Sequence, residues 1–169
     1  MSAPDKVTSI TIAGLGGQGV LKASDIVAGA AFRMGLDVKK SEIHGMSQRG
    51  GSVTSDVRFG SSVLSPMIPP GEADFLVLLA GDQLEPNRGQ LRQGGVLIHP
   101  EMVDAAAIAN KKSLNVALLG VLSAWLDIPE ETWLEAIRAS LPEKIYAANA
   151  AAFAAGRAIG AKLKNGDKS

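Results

Sequence analysis

Two stretches of this chain combine residue types and spacings that could do chemistry. The first is Gly14-Leu15-Gly16-Gly17-Gln18-Gly19, a G-x-G-x-x-G spacing. Glycine tolerates positive φ and lets a ligand approach the backbone, and the amides that open a following helix favour an anion. Glu42 stands about 20 residues further on, where a ribose-binding carboxylate could sit. The same spacing also serves a tight strand-to-helix turn that binds no cofactor. The residues alone leave both readings open.

The second stretch is His44-Gly45-Met46-Ser47-Gln48-Arg49-Gly50-Gly51-Ser52. Arg49 stands beside two glycines, where its guanidinium fork can reach a phosphate or carboxylate. His44 can give or take a proton near neutral pH. His44 and Arg49 are therefore the catalytic candidates. Gly14, Gly16, Gly17, Gln18, Gly19, Arg49, Gly50 and Gly51 are the candidate contacts for a phosphate-bearing ligand. The competing account is that His44 and Arg49 only order the loop or a subunit interface. No second histidine is close in sequence to complete a metal site or a triad, and Ser47, Ser52 and Ser55 lack a nucleophile-elbow context. His99 follows a buried run and reads as structural. Asp56, Arg58, Asp74 and Asp82 read as solvated or loop-capping.

These residues must be positioned by regular elements. Val7–Ala13 alternates and is rich in β-branched residues, which predicts a strand. Val20, Ser24, Val27, Ala31 and Met34 recur at helical spacing, with Gly35 as the stop. Strand, glycine loop and helix read as the first half of a βαβ unit, with a second strand over Leu36–Glu42. Val53, Val57 and Phe59 alternate with polar residues in a half-buried strand. Ser65–Gly71 is a proline-bearing loop. Phe75–Ala80 is a continuous apolar run, as in a strand covered on both faces. A helix is predicted to open near Pro86 and stop by Gly94-Gly95, with a short strand over Val96–His99. Val116–Leu126 predicts a buried helix. Asp127 is the predicted N-cap of a helix carrying Trp133, Ile137 and Leu141, and Ala147–Leu163 is a last helix. The alternation predicts one α/β domain over residues 1–169, with residues 165–169 a frayed tail. It also predicts three layers, with a mostly parallel or mixed sheet and helices on both faces.

Composition bounds the function. Lysine plus arginine equals aspartate plus glutamate, 17 each, without the clustered positive charge that nucleic acids or anionic membranes attract. The chain has no cysteine, which removes disulfides, thiolate zinc sites and cysteine-ligated iron–sulfur clusters. The opening MSAPDKV lacks the apolar stretch of a secretory signal. Val116–Leu126 is far short of the roughly 20 residues that span a bilayer. The expectation is a cytoplasmic protein without a membrane or nucleic-acid partner.

Two motifs then combine. GLGGQGVLKAS, followed by SEIHGMSQRGGSVTSDVRFG, resembles the gamma-type subunit or domain of 2-oxoacid:acceptor (ferredoxin) oxidoreductases. EIHGMSQRGG in particular resembles the beta subunit of indolepyruvate ferredoxin oxidoreductase. ADFLVLLA, LNVALLGVLS and AANAAAFAAG extend the likeness over most of the chain, and His99–Leu114 looks shortened against the family. The resemblance implies a Rossmann-like fold in a hetero-oligomer that oxidatively decarboxylates a 2-oxoacid, indolepyruvate or another arylpyruvate, to an acyl-CoA. It implies that a large partner subunit carries thiamine diphosphate, Mg2+ and [4Fe-4S] clusters, with ferredoxin as electron acceptor and coenzyme A as co-substrate. This chain then carries no cofactor and is inactive alone. The competing functions are a free-standing NAD(P)- or flavin-binding oxidoreductase and a non-catalytic module for an anionic ligand.

Overall fold

In the computed structural model, which describes residues 6–44 and 51–166, the strand expected over Val7–Ala13 is β1 (Thr8–Leu15), the middle of a five-stranded sheet. The others are β2 (Asp37–His44), β3 (Ser52–Gly60), β4 (Ala73–Leu78) and β5 (Leu91–Ile98), in the order β2-β3-β1-β4-β5. β3 runs antiparallel to both β1 and β2, and β4 and β5 run parallel to β1. The sheet is thus α/β and mixed, as the alternation of Val53, Val57 and Phe59 suggested.

The position of β3 decides how the first glycine loop is read. Helix α1 (Val20–Arg33) carries the chain from β1 towards β2, but β3 occupies the place beside β1 that the second strand holds in a dinucleotide fold. Glu42 pairs with Ser55, two strand spacings or about 10 Å from β1. Its carboxylate meets Lys40 Nζ at 3.5 Å, and Lys40 also pairs with Asp25 of α1. The ribose-binding position suggested by spacing alone is therefore not formed.

One face of the sheet carries most of the core. Ile10, Ile12, Val57, Phe75 and Val77 form one apolar cluster with α1, α3 (Leu114–Ser123), α4 (Glu130–Ser140) and α5 (Glu143–Gly166). Every residue of α3 from Asn115 to Ser123 is buried, and the Trp133 and Phe153 rings meet with centroids 5.6 Å apart. Burying one such large side chain contributes roughly 1.5–3 kcal/mol. The opposite face buries Ala13, Leu76 and Leu78 under Leu84, Leu91 and Leu97. The helical cover expected there is a single turn, α2 (Leu84–Asn87).

Three boundaries differ from expectation for local reasons. The helix predicted to run from Pro86 to Gly94-Gly95 ends at Asn87, and the strand predicted over Val96–His99 begins at Leu91. Arg92 Nε donates to Asp74 Oδ1 at 2.8 Å and Leu91 pairs with Ala73. Gly94, at φ 78°, lies in a register irregularity of that strand instead of stopping a helix. Asp127 is exposed and is not the cap of α4, whose N-cap position is Pro129. Proline's fixed φ prepares the first turn, and Glu130 and Glu131 complement the helix dipole there. Among the described residues no helix is long and apolar enough to cross a membrane.

Among the described residues, Asp56 is the one carboxylate that burial pushes above its ordinary value of 3.8, against hydrogen bonds from the Thr11 hydroxyl and the Ile68 amide. The folded state then holds the Asp56 proton more tightly than the unfolded state. Its contribution to stability is greatest below the unfolded pKa and is lost as pH rises through the folded value. Asp56→Asn keeps an acceptor for Thr11 and removes the charge. Its melting temperature relative to the parent is expected to rise from acid towards neutral pH, as the parent alone loses the contribution of the bound proton. A difference that stays flat across that range in thermal denaturation would count against this account.

Candidate functional site

The carboxyl end of β1 meets the start of α1 over bare backbone. A Cβ on Gly14 would lie 2.9 Å from Val20 Cγ2 and 3.0 Å from Leu79 Cβ, so only glycine lets these segments close together. Gln18 braces the turn from within. Its Oε1 accepts from the Leu15 amide at 2.7 Å and its Nε2 donates to the Leu79 carbonyl at 3.4 Å. Gln18 thus holds the loop's shape with the groups that were candidates for a ligand. Gly17 and Gly19 are left-handed, at φ 88° and 84°. A Cβ on Gly17 would meet nothing within 4 Å, whereas one on Gly19 would lie 2.5 Å from Asn115 Nδ2.

The two glycine-bearing stretches come together. The Gly16 amide donates to the Gly51 carbonyl at 2.9 Å. His44 is exposed at the end of the edge strand β2 and shares a row with Val53 and Gly14, about 10 Å from the latter. Arg49 and Gly50, the other candidates, lie outside the described residues.

On its other side the glycine loop borders a cleft of about 620 Å3, within the range of small-molecule sites. Gly17, Gly19 and Lys22 form one wall, Lys111, Lys112, Ser113 and Asn115 a second, and Leu141 and Ile145 of the α4–α5 corner a third. The amino ends of α1 and α3 both open on it. Asn115 ties them together, its Nδ2 donating to the Gly19 carbonyl at 3.2 Å and its Oδ1 accepting from the Val116 amide at 2.9 Å. Lys22 Nζ reaches the Ser140 carbonyl at 3.2 Å. No aspartate or glutamate is among the described residues that line the cleft. A helix amino end already carries about half a positive charge, so lysines are ordinarily disfavoured there. Three lysines beside two such ends, uncompensated by acid, make a cleft suited to a phosphorylated ligand.

The second wall was not found in the sequence, because Lys111, Lys112 and Ser113 come from the stretch His99–Leu114 that the family likeness left weakest. That stretch folds as three short turns, each started by a side-chain cap. His99 Nδ1 accepts from the Glu101 amide, Asp104 Oδ1 from Ala106 and Asn110 Oδ1 from Lys112. The available signal was Asn110-Lys111-Lys112-Ser113 ahead of an apolar run: capping residues with the wrong charge for a helix start.

The residues present do not fit a cluster or a divalent metal. The chain has no cysteine, and among the described residues no three His, Asp or Glu side chains converge.

Comparison with known proteins agrees with this geometry. The profile of the pyruvate ferredoxin/flavodoxin oxidoreductase family matches residues 9–159. The indolepyruvate oxidoreductase subunit IorB of Thermococcus kodakarensis is 35% identical, over 89% of this chain and 95% of its own length. The ketoisovalerate oxidoreductase subunit VorA of Methanothermobacter marburgensis is 30% identical over 81% of this chain, which corresponds to 34% of that subunit. The gamma subunit of the keto/oxoacid ferredoxin oxidoreductase of Geobacter sulfurreducens superposes with a TM-score of 0.78 at 22% identity, covering 93% of this chain and 98% of that one. The 2-oxoglutarate:ferredoxin oxidoreductase of Magnetococcus marinus, solved with 2-oxoglutarate, coenzyme A and succinyl-CoA, superposes with a TM-score of 0.80 at 23% identity, covering 93% of this chain and 31% of that one. The chain belongs to the pyruvate ferredoxin/flavodoxin oxidoreductase family.

Proposed function

We propose that this chain is the small, cofactor-free subunit of a cytoplasmic 2-oxoacid:ferredoxin oxidoreductase that converts indolepyruvate or another arylpyruvate to its acyl-CoA. The larger partner subunit binds thiamine diphosphate with Mg2+, and [4Fe-4S] clusters that pass electrons to ferredoxin. The present chain closes that site and contacts the phosphates of coenzyme A. The observation that carries this reading is the acid-free cleft in which Lys22, Lys111 and Lys112 surround two helix amino ends. Its glycine loop belongs to one of the two motifs through which the chain resembles the gamma-type subunits of 2-oxoacid:ferredoxin oxidoreductases. Arg49 positions an anionic group and transfers no proton, because a guanidinium stays charged at ordinary pH.

The insertion of β3 between β1 and β2 disfavours the dinucleotide-binding alternative. Two assays separate the readings. The purified chain is expected to be colourless, to reduce neither ferredoxin nor viologen, and to bind NAD(P) negligibly. Addition of the larger subunit is expected to produce coenzyme A-dependent viologen reduction with indolepyruvate. Viologen reduction by this chain alone, or micromolar binding of a nicotinamide or flavin, would rule the proposal out.

A further inference from the structure

We infer that the corner of the sheet where β2 begins and β3 ends is an apolar docking surface for the larger subunit, with Leu64 and Met67 as its knobs. The inference rests on the two-subunit reading above and assigns a surface that holds the subunits together. Leu64 is 94% exposed and Met67 64%. On a flexible loop such side chains would fold back onto the surface; here they are held out. Val63 and Ile68, on either side of them, are buried. The Val63 amide donates to Asp37 Oδ2 at 2.8 Å and the Ile68 amide to Asp56 Oδ2 at 3.5 Å. Arg58 Nη1 donates to the Ser65 and Met67 carbonyls, each at 3.0 Å, and Arg58 Nε donates to the Ser9 hydroxyl at 3.1 Å. Pro66, Pro69 and Pro70 fix φ within the same loop. A loop already ordered loses little conformational freedom on meeting a partner. α1 ends at this corner and adds Phe32, 72% exposed, and Met34, 41% exposed. The charged residues of segments 32–39 and 58–67 are committed within the chain: Arg33 to Glu135, Lys39 to Asp37, and Arg58 to the loop carbonyls. Exposed apolar surface gathered in one place marks an interaction site, and this one is read by apolar contact instead of charge.

A second copy of this chain fits the corner poorly. Leu64 stands out from the surface and needs a hollow on its partner. The cleft beside the glycine loop is bordered by Lys22, Lys111 and Lys112, and the smaller one at the far end of α3 by Arg157 and Lys164. Burying leucine there would desolvate those cations. Neither cleft includes the corner, so such a contact would run head to tail and propagate instead of closing. The larger subunit fits for a separate reason. In the ketoisovalerate subunit VorA the match to this chain is 34% of a longer polypeptide, and the 2-oxoglutarate enzyme carries the same fold as 31% of its chain. There the backbone tethers the domain to its neighbours, which acts as a local concentration on the order of millimolar. In IorB, matched over 95% of its length, the domain is a chain of its own. A domain without a tether must replace it with adhesive surface. Phe59, beside the corner, pairs with Thr8, and the glycine loop follows Leu15 at the other end of β1. That is a separation of about 23 Å, so the corner anchors the subunit without touching the cleft.

The test is a titration of this chain into a fixed amount of the larger subunit. Association is read by sedimentation and, separately, by coenzyme A-dependent viologen reduction. The parent is compared with Leu64→Gln/Met67→Gln, with the conservative Leu64→Met, and with Leu163→Ser, an exposed apolar residue at the far end of α5. The melting temperature of each chain alone checks folding. The double variant is expected to melt with the parent, because neither side chain is packed. Its dissociation constant from the larger subunit is expected to rise about thirtyfold or more, the loss of a hot-spot contact. The maximal rate at saturation is expected to stay within about twofold, because the corner is remote from the cleft. Leu64→Met is expected to retain most of the affinity, and Leu163→Ser all of it. Equal affinity of the parent and the double variant overturns the docking surface and leaves the proposed function standing. A parent that alone forms a dimer, which the double variant dissolves, also overturns it, since a second copy then covers the corner. If the parent binds the larger subunit through the corner and no viologen is reduced with indolepyruvate, the docking surface stands and the functional reading fails. If the parent does not bind the larger subunit at all, both fail.

Discussion

Gly156→Val is expected to leave the chain largely unfolded at 37 °C, with a loss of about 4 kcal/mol or more out of a total that for a domain of this kind is roughly 5–15 kcal/mol. α3 and α5 cross backbone on backbone. A Cβ built on Gly156 overlaps the Ala117 carbonyl, one on Gly120 overlaps the Phe153 carbonyl, and one on Gly160 overlaps the Val121 carbonyl. Glycine in a helix interior ordinarily costs about 1 kcal/mol against alanine, and here the close approach it permits outweighs that. An oversized residue in a core usually costs about 1–3 kcal/mol, because neighbouring side chains give way. Here the obstacle is a hydrogen-bonded backbone carbonyl, so the whole helix must move. α3 is buried along its length and anchored at its carboxyl end, where Lys164 Nζ donates to the Ala124 carbonyl and Arg157 to the Ser123 hydroxyl. Separating it from α5 exposes apolar surface all along the crossing. Gly29→Ala in α1 is the control, since its Cβ would touch only the tip of Arg33 at 3.2 Å and Ala136 at 3.6 Å. That variant is expected to be neutral or to gain a few tenths of a kcal/mol to about 1 kcal/mol. Thermal denaturation of the two variants decides the matter; comparable stabilities would contradict the crossing described.

The elements that position the glycine loop were legible because each obeys a strong local rule. β1 shows β-branched alternation, α1 a helical apolar stripe ended by Gly35, and β4 an apolar run buried throughout. β3 announced itself by alternation, since its Val53, Val57 and Phe59 face the helices while Asp56 and Arg58 face the other way. What the sequence did not disclose was strand order. Nothing local in β2 or β3 says which of them lies beside β1; that is settled by which strand best fills the sheet under α1. The cleft was illegible for the same reason. Lys22 and Lys111 are far apart in the chain and meet only because α3 lies against α1. Gln18 counted as a ligand contact from the motif alone, and only the tertiary structure shows that its amide also braces the loop through Leu15 and Leu79.

Gly19→Ala and Gly17→Ala share a backbone conformation and differ in surroundings, so together they isolate what holds the glycine loop to α3. Both residues are left-handed, and alanine in that region costs roughly 1–2 kcal/mol. Gly17→Ala is expected to lose only that, because its methyl group would enter open space. Gly19→Ala adds a contact at 2.5 Å with Asn115 Nδ2. Asn115 is 7% exposed and bonded at both ends of its amide, so it can retreat only by giving up the Gly19 carbonyl, the Val116 amide or both. Each such bond is worth about 1 kcal/mol, and leaving its partners unsatisfied in a buried place costs more. The total expected for Gly19→Ala is about 3 kcal/mol. Asn115→Ala removes the obstacle together with the bonds it makes. In that background Gly19→Ala is expected to cost about as much as Gly17→Ala, a coupling of roughly 1 kcal/mol or more in a double-mutant cycle. Strict additivity of the Gly19 and Asn115 substitutions in denaturant unfolding would mean that Asn115 does not hold the loop, and that the two helix amino ends open on the cleft independently.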